Sequence, residues 1–272
     1  ARVARTAWAK RPVSERAEIF HRYRDLVLAH RDELMDMAQA ETGKSRAAAL
    51  EEVLDIAMTS RHYARTAAKL LAPKKVTGML PVLTKTRVRY QPKGIVGIIS
   101  PWNYPMTLAV SDAIPALLAG NGVVLKPDSQ TPYCALACVE LLYKAGLPRD
   151  LFAVVPGPGS VVGTALVQNT DYVMFTGSTA TGQLLAEQAG RRLIGFSAEL
   201  GGKNAMIVAK GANLREVCDA AVRACFSNSG QLCISIERIY VEKSIAAEFT
   251  EKFGQRVRNM TLGADYEFGI EM

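Results

Sequence analysis

The chain has 272 residues, of which 49% are apolar, 22% charged and 7% aromatic. That is enough to bury a sizeable core, and it excludes a disordered or low-complexity protein. Thirty-three basic residues against 26 acidic ones leave a net charge of +7. The Lys and Arg are scattered singly, so a phosphate-bearing small ligand is favoured over nucleic acid.

No apolar run approaches the ~20 residues of a membrane helix, so no membrane partner is expected. The opening ARVARTAWAKR has no apolar stretch of the kind that marks a secretory signal. Five cysteines, Cys134, Cys138, Cys218, Cys225 and Cys233, make no CxxC pair, which fits free thiols in a reducing cytoplasm. His21, His30 and His62 lie far in sequence from every cysteine, so no metal site is expected.

Two long helices are predicted first. Ser14 reads as an N-cap, with Glu15 and Glu18 at the positive end of the dipole. Phe20, Tyr23, Val27, His30, Leu34 and Met37 then form one stripe, and Gly43 ends the helix. His30 on that stripe reads as a packed rather than a catalytic histidine. Gly43-Lys44-Ser45 has the ending of a phosphate-binding P-loop, but Ala38 stands where that motif requires glycine. The second helix carries Leu50, Leu54, Ala57, Ala64 and Leu71. Strand formers over 74–92, with Gly78 and Pro81 between them, predict a hairpin projecting from the body.

Strands at 94–100, 122–126, 152–155, 172–175 and 193–198 then alternate with helices at 105–120, 132–146, 160–168 and 178–190. This βαβ repetition implies an α/β fold with a doubly wound parallel sheet and ligands outside the carboxyl ends of its strands. A strand at 205–209, a helix at 213–226, a strand near 238–242 and a helix from Ser244 follow. The chain stops at FGIEM without a closing element and reads as a fragment.

The strand ends carry unusual polar residues. In Pro101-Trp102-Asn103-Tyr104-Pro105, two prolines fix a turn that places Asn103 at the mouth of the sheet, unless it merely caps a helix. Lys126-Pro127-Asp128-Ser129 suits ribose or phosphate, unless Lys126 is a solvated surface residue. Gly157, Gly159 and Gly163 do not match the dinucleotide fingerprint. Thr176-Gly177-Ser178 opens a helix whose free amides suit a pyrophosphate, unless it is a plain connection. Glu199 leaves an apolar strand (Leu193, Ile194, Phe196) and is expected to be partly desolvated, a candidate base; the other reading is a surface glutamate paired with Lys203. Cys233, in Ser229-Gly230-Gln231-Leu232-Cys233, is the one cysteine in a loop-like context, and the other four read as buried hydrophobes. A thiol, a carboxylate and a nucleotide-binding sheet together suggest oxidation of a carbonyl through a thioester.

With these stretches, PWNYP (101–105), LKPDSQTP (125–132), FTGSTATG (175–182), ELGGKN (199–204) and SGQLC (229–233), the sequence resembles the aldehyde dehydrogenase superfamily over its whole length. The resemblance implies a Rossmann-like NAD(P)-binding domain from 1–73 and 93–202, an oligomerisation hairpin at 74–92 and the start of a catalytic domain at 203–272. Family members are nearly twice as long, so most of that last domain is expected to be missing. By resemblance, Cys233 is the nucleophile, Glu199 the base, and Asn103 with the Cys233 N–H the oxyanion donors. Trp102, Lys126, Pro127, Asp128, Ser129, Gly157, Gly177, Ser178 and Leu200 are the implied cofactor contacts.

Ser129 replaces a glutamate common in NAD-preferring relatives, which favours NADP, with NAD as second choice. The pattern looks most like the NADP-dependent succinate-semialdehyde dehydrogenase group. However, Ser111 and Ser227 stand where that group tends to place arginines, and Asp112 where lysine is common. A neutral aldehyde is therefore an open alternative. So are a CoA-acylating enzyme, against which Glu199 argues, and a non-catalytic cofactor-binding module. A homodimer or homotetramer is implied for the full-length protein.

Overall fold

The N-terminal stretch folds as four helices where two were expected: α1 (Arg2–Lys10), α2 (Val13–Ala29), α3 (Arg31–Thr42) and α4 (Arg46–Leu70). They belong to a computed structural model that describes residues 1–80 and 82–272, so Pro81 lies outside the described residues. α1 is held by Trp8, buried, with Nε1 donating to the Leu117 carbonyl at 2.8 Å. Its tertiary anchor is remote in sequence, which is why local pattern misses it. α2 begins at Val13 with Pro12 as its N-cap, so Ser14 is helical rather than capping.

The first predicted helix breaks at His30 (φ −99°, ψ 18°), which ends α2 and starts α3. Phe20, Tyr23, Val27 and Leu34 are buried as expected, while half-buried His30 lies 3.1 Å from the Glu33 carboxylate. Gly43 closes α3 at φ 69°, a left-handed cap. Of the predicted second-helix stripe, Ala57 and Ala64 are buried, Leu50 and Leu71 half-buried and Leu54 exposed, while Ala49, Val53, Ile56 and Ala67 complete the buried face of α4. Small side chains on that face let α4 pack closely on α2.

β1 (Lys74–Val76) and β2 (Thr86–Val88) pair antiparallel as the expected hairpin. The main body then runs β3 (Ile95–Ile99), α5 (Thr107–Val110), α6 (Ala113–Leu118), β4 (Gly122–Lys126), α7 (Pro132–Lys144), β5 (Phe152–Val154), α8 (Thr164–Asn169), β6 (Tyr172–Gly177), α9 (Thr179–Arg191) and β7 (Gly195–Leu200). The helix predicted at 105–120 is split, because Pro115 has no N–H to donate to the Ser111 carbonyl. The helix predicted at 160–168 begins with a wider turn over Gly159–Gly163.

The five strands are all parallel, in the order β5-β4-β3-β6-β7. The chain enters at the centre, winds out to β5 and returns to β6, so winding direction reverses between β3 and β6. Buried neighbours Ile98 and Ile99 point to opposite faces: Ile98 into the core shared with α2, α4 and α7, Ile99 into one built with α8 and α9. Both faces are thus covered, as a doubly wound sheet requires. β7 begins two residues later than expected; Leu193 sits outside it at φ 54°, exposed.

A second parallel pair, β8 (Asn204–Val208) and β9 (Ile236–Val241), is backed by α10 (Leu214–Phe226) and α11 (Ala246–Arg258). Val208, Leu214, Cys218, Ala221 and Phe249 give this part its own core.

Candidate active site

A reversal in winding leaves the loops after β3 and β6 diverging, and a crevice opens between them. Here it is a cavity of 480 Å³ whose walls include Trp102, Asn103, Ser178, Glu199, Gln231 and Cys233. Three segments far apart in sequence therefore bring thiol, carboxylate and carboxamide to one cleft. Cys233 is the exposed cysteine, Cys134, Cys138 and Cys218 are buried, and Cys225 is half-buried.

The thiol loop is tightly constrained. Asn228, Ser229 and Gly230 have φ of 51°, 57° and 73°, a left-handed run that includes two non-glycine residues. Asn204 Nδ2 donates to the Cys233 carbonyl at 2.7 Å, anchoring the loop to the start of β8. Among the described residues the Cys233 N–H has no hydrogen-bond acceptor.

Asn103 caps no helix; Met106 occupies the N-cap of α5. Its Nδ2 donates to the Gln231 carbonyl at 2.9 Å, and its Oδ1 is buried without a partner. An amide nitrogen carries two hydrogens, so one remains for a ligand.

Glu199 departs from both sequence readings. It stands in β7, the edge strand, and is exposed rather than desolvated. Lys203 pairs instead with Glu237, which also lines the cleft. Asp112 is the residue that burial does perturb: its carboxyl is pushed up to about 6, first by burial and then by the charge of Glu199. Leu108 lines the cleft, and Asp112 follows it by four residues, one helical turn on. Ser111 Oγ donates to Asp55 Oδ2 at 3.0 Å, and Ser227 Oγ donates to the Arg223 carbonyl at 2.6 Å.

The remaining expected contacts lie at strand ends: Lys126 to Ser129 and Gly157 at those of β4 and β5, and Gly177, Ser178 and Leu200 on the cavity wall at those of β6 and β7. Lys126 is 5% exposed, which excludes the solvated reading. Its ammonium has no hydrogen-bond or ion-pair partner among the described residues, and burial lowers its pKa against the pull of Asp128. After buried Pro127, Asp128 accepts from the Gln130 N–H at 2.9 Å. Ser129 Oγ donates to the Gly157 carbonyl at 3.0 Å, tying the two strand ends together. Gly157 has φ 145°, and a Cβ there would meet Val162 at 2.8 Å, so glycine is required twice over. Gly177 ends β6, and Ser178 caps α9 with Oγ accepting from the Thr181 N–H at 3.4 Å. Leu200 ends β7, half-buried on the wall of the cleft.

The sequence profile of the aldehyde dehydrogenase family matches residues 1–272. The chain belongs to the aldehyde dehydrogenase family. This aldehyde dehydrogenase chain is 70% identical to a Mycolicibacterium smegmatis protein named "Putative succinate-semialdehyde dehydrogenase NADP(+)", covering 100% of the chain and 53% of the relative. Among solved structures it superposes on an E. coli NADP-dependent enzyme with TM-score 0.96 and 34% identity, over 100% of the chain and 56% of that structure. A succinate-semialdehyde dehydrogenase from Burkholderia pseudomallei gives TM-score 0.96 at 31% identity, with the same coverage. The chain spans about half the length of the curated relatives it matches.

Proposed function

We propose that the protein oxidises an aldehyde to a carboxylic acid at Cys233, with NADP as the electron acceptor. The observation that carries this reading is the convergence of Cys233, Glu199 and Asn103 in one cleft at the point where the sheet reverses its winding.

The chemistry follows from what each group can do. The Cys233 thiolate adds to the aldehyde carbon, and the carbonyl electron pair moves onto oxygen. Asn103 Nδ2 and the Cys233 N–H, both with a hydrogen to donate, hold that oxyanion; one such donor is typically worth ~100-fold in rate. A nicotinamide nucleotide held by Lys126, Ser129 and the N-terminus of α9 would supply the hydride acceptor that lets the carbonyl re-form as a Cys233 thioester. Glu199, exposed on the wall of the same cleft, takes a proton from water, and the resulting hydroxide attacks the thioester carbon. The acid leaves and the thiolate is regenerated.

The residues beside the cleft suit a phosphorylated nucleotide. Lys126, a buried residue, offers an ammonium without a partner among the described residues, and the N-terminus of α9 offers backbone amides to a pyrophosphate. Ser129 brings no negative charge against a 2′-phosphate, which favours NADP over NAD. On this reading 1–73 and 93–202 hold the nucleotide, 203–272 begin the catalytic part and 74–92 make subunit contacts. Free thiols suit a reducing cytoplasm.

The name of the 70% identical relative points to succinate semialdehyde. A substrate carboxylate needs a cation, and no Arg or Lys lines the cleft formed by the described residues. A panel containing succinate semialdehyde, propionaldehyde and benzaldehyde, run with both cofactors on the protein at its relatives' full length, decides the substrate. In the same assay Cys233→Ala is expected to lose NADP reduction entirely, and retained turnover would refute the thioester reading.

A further inference from the structure

Lys44 and Glu52 form a buried ion pair that the reaction above does not use. Their side chains are 2% and 0% exposed, with Lys44 Nζ 2.5 Å from Glu52 Oε1. Two buried charges are unfavourable unless every proton and lone pair is matched, and an apolar pair of equal volume often serves stability as well. Here the other partners of the pair lie in one short loop. Glu52 Oε2 accepts from the N–H groups of Met106 (2.8 Å) and Thr107 (3.1 Å). Lys44 Nζ donates to the Asn103 carbonyl at 2.9 Å and lies 4.4 Å from the centre of the Tyr104 ring. Burial raises the Glu52 carboxyl, against the pull of Lys44 and the two amides.

The same carbonyl has a second donor on the thiol loop. Asn228, 5% exposed, donates from Nδ2 to the Asn103 carbonyl (3.1 Å) and to the Gln231 carbonyl (3.2 Å). The Asn103 carboxamide in turn hangs from Gln231, two residues before Cys233. Backbone and side chain of Asn103 are thus fixed from opposite sides, by the pair and by the thiol loop.

We propose that the Lys44–Glu52 pair is a positioning device for the oxyanion-binding carboxamide, locking the Asn103 backbone so that its free amide hydrogen meets the oxygen formed at Cys233. This rests on the roles given above to Cys233 and Asn103.

A double-mutant cycle on the protein at its relatives' full length tests it, using the best aldehyde of the panel. Lys44→Met alone would strand a buried carboxylate, so both charges are removed together as Lys44→Met/Glu52→Gln. The glutamine oxygen still accepts from the Met106 and Thr107 amides. Asn103→Ala is expected to lower kcat ~100-fold. The pair variant is expected to lower kcat ~10-fold or more, with NADP affinity and aldehyde KM unchanged. Combined with Asn103→Ala, it should cost nothing further, because the two act through one group. Costs that multiply in the combined variant, or an unaltered kcat in the pair variant, would overturn the proposal. An unaltered kcat in Asn103→Ala would instead overturn the oxyanion reading.

Discussion

Asp112 shows what one half-buried side chain does to pH behaviour. Its carboxyl is raised to about 6 by burial and by Glu199, so the folded chain keeps a proton that the unfolded chain gives up near pH 4. Between those values the folded state binds more protons, and stability is therefore lost as pH rises through that window. Asp112→Asn should be more stable than the parent at pH 7.5 by roughly 2 kcal/mol, an advantage that vanishes near pH 4. Urea unfolding at the two pH values measures it, and an equal difference at both would contradict the assignment. In the sequence Asp112 carries no sign of this shift, because burial comes from packing and has no local signal. The loop positions of Cys233 and Asn103 were legible because a glycine and prolines mark the turns that carry them. Glu199 was legible as a residue and misread in its surroundings, since an apolar run does not reveal an edge strand. Lys44 looked like a failed phosphate motif, and its partners Glu52 and Asn103 are brought to it only by the tertiary fold.

At the scale of elements, the start of α7 is secured from a distance. α7 starts after the Lys126–Thr131 turn, and its N-cap residue Thr131 makes no side-chain capping bond. Glu41, at the end of α3, caps it instead: its two oxygens accept from Tyr133 N–H (2.9 Å) and Cys134 N–H (2.7 Å). Glu41→Ala leaves both amides at the positive end of the helix dipole without that acceptor and should cost about 1–2 kcal/mol. The expected readout is a lower thermal midpoint by circular dichroism; an unchanged midpoint would mean that water replaces the cap fully. Such remote caps explain which elements the sequence conveyed. β3, β4, α7 and α10 were readable because their apolar periodicity and flanking Gly or Pro agree. The break at His30 and the helix α1 were not, because both depend on contacts with chain that comes later.

For the whole molecule, the alternation of strands and helices implied a doubly wound parallel sheet but not its order β5-β4-β3-β6-β7, and the site follows from where that winding reverses. The hairpin obeys a different logic. All six residues of β1 and β2 are exposed, and a two-stranded ribbon without burial is at best marginally stable in water. Its tip carries Met79, Val82 and Leu83 at 94%, 97% and 81% exposure, on a ribbon that bears Lys74, Lys75 and Arg87. Apolar side chains gathered this way are unfavourable in solvent unless another surface covers them. A second subunit of the same chain is the covering surface that the subunit-contact reading of 74–92 requires. Val82→Asp together with Leu83→Asp should therefore shift the full-length protein to a smaller species by light scattering. The separate cores behind the cleft do not include the hairpin, so NADP binding per subunit should survive. An unchanged mass would show that the tip is not a subunit contact, whereas loss of nucleotide binding would mean that the ribbon supports the fold of each subunit.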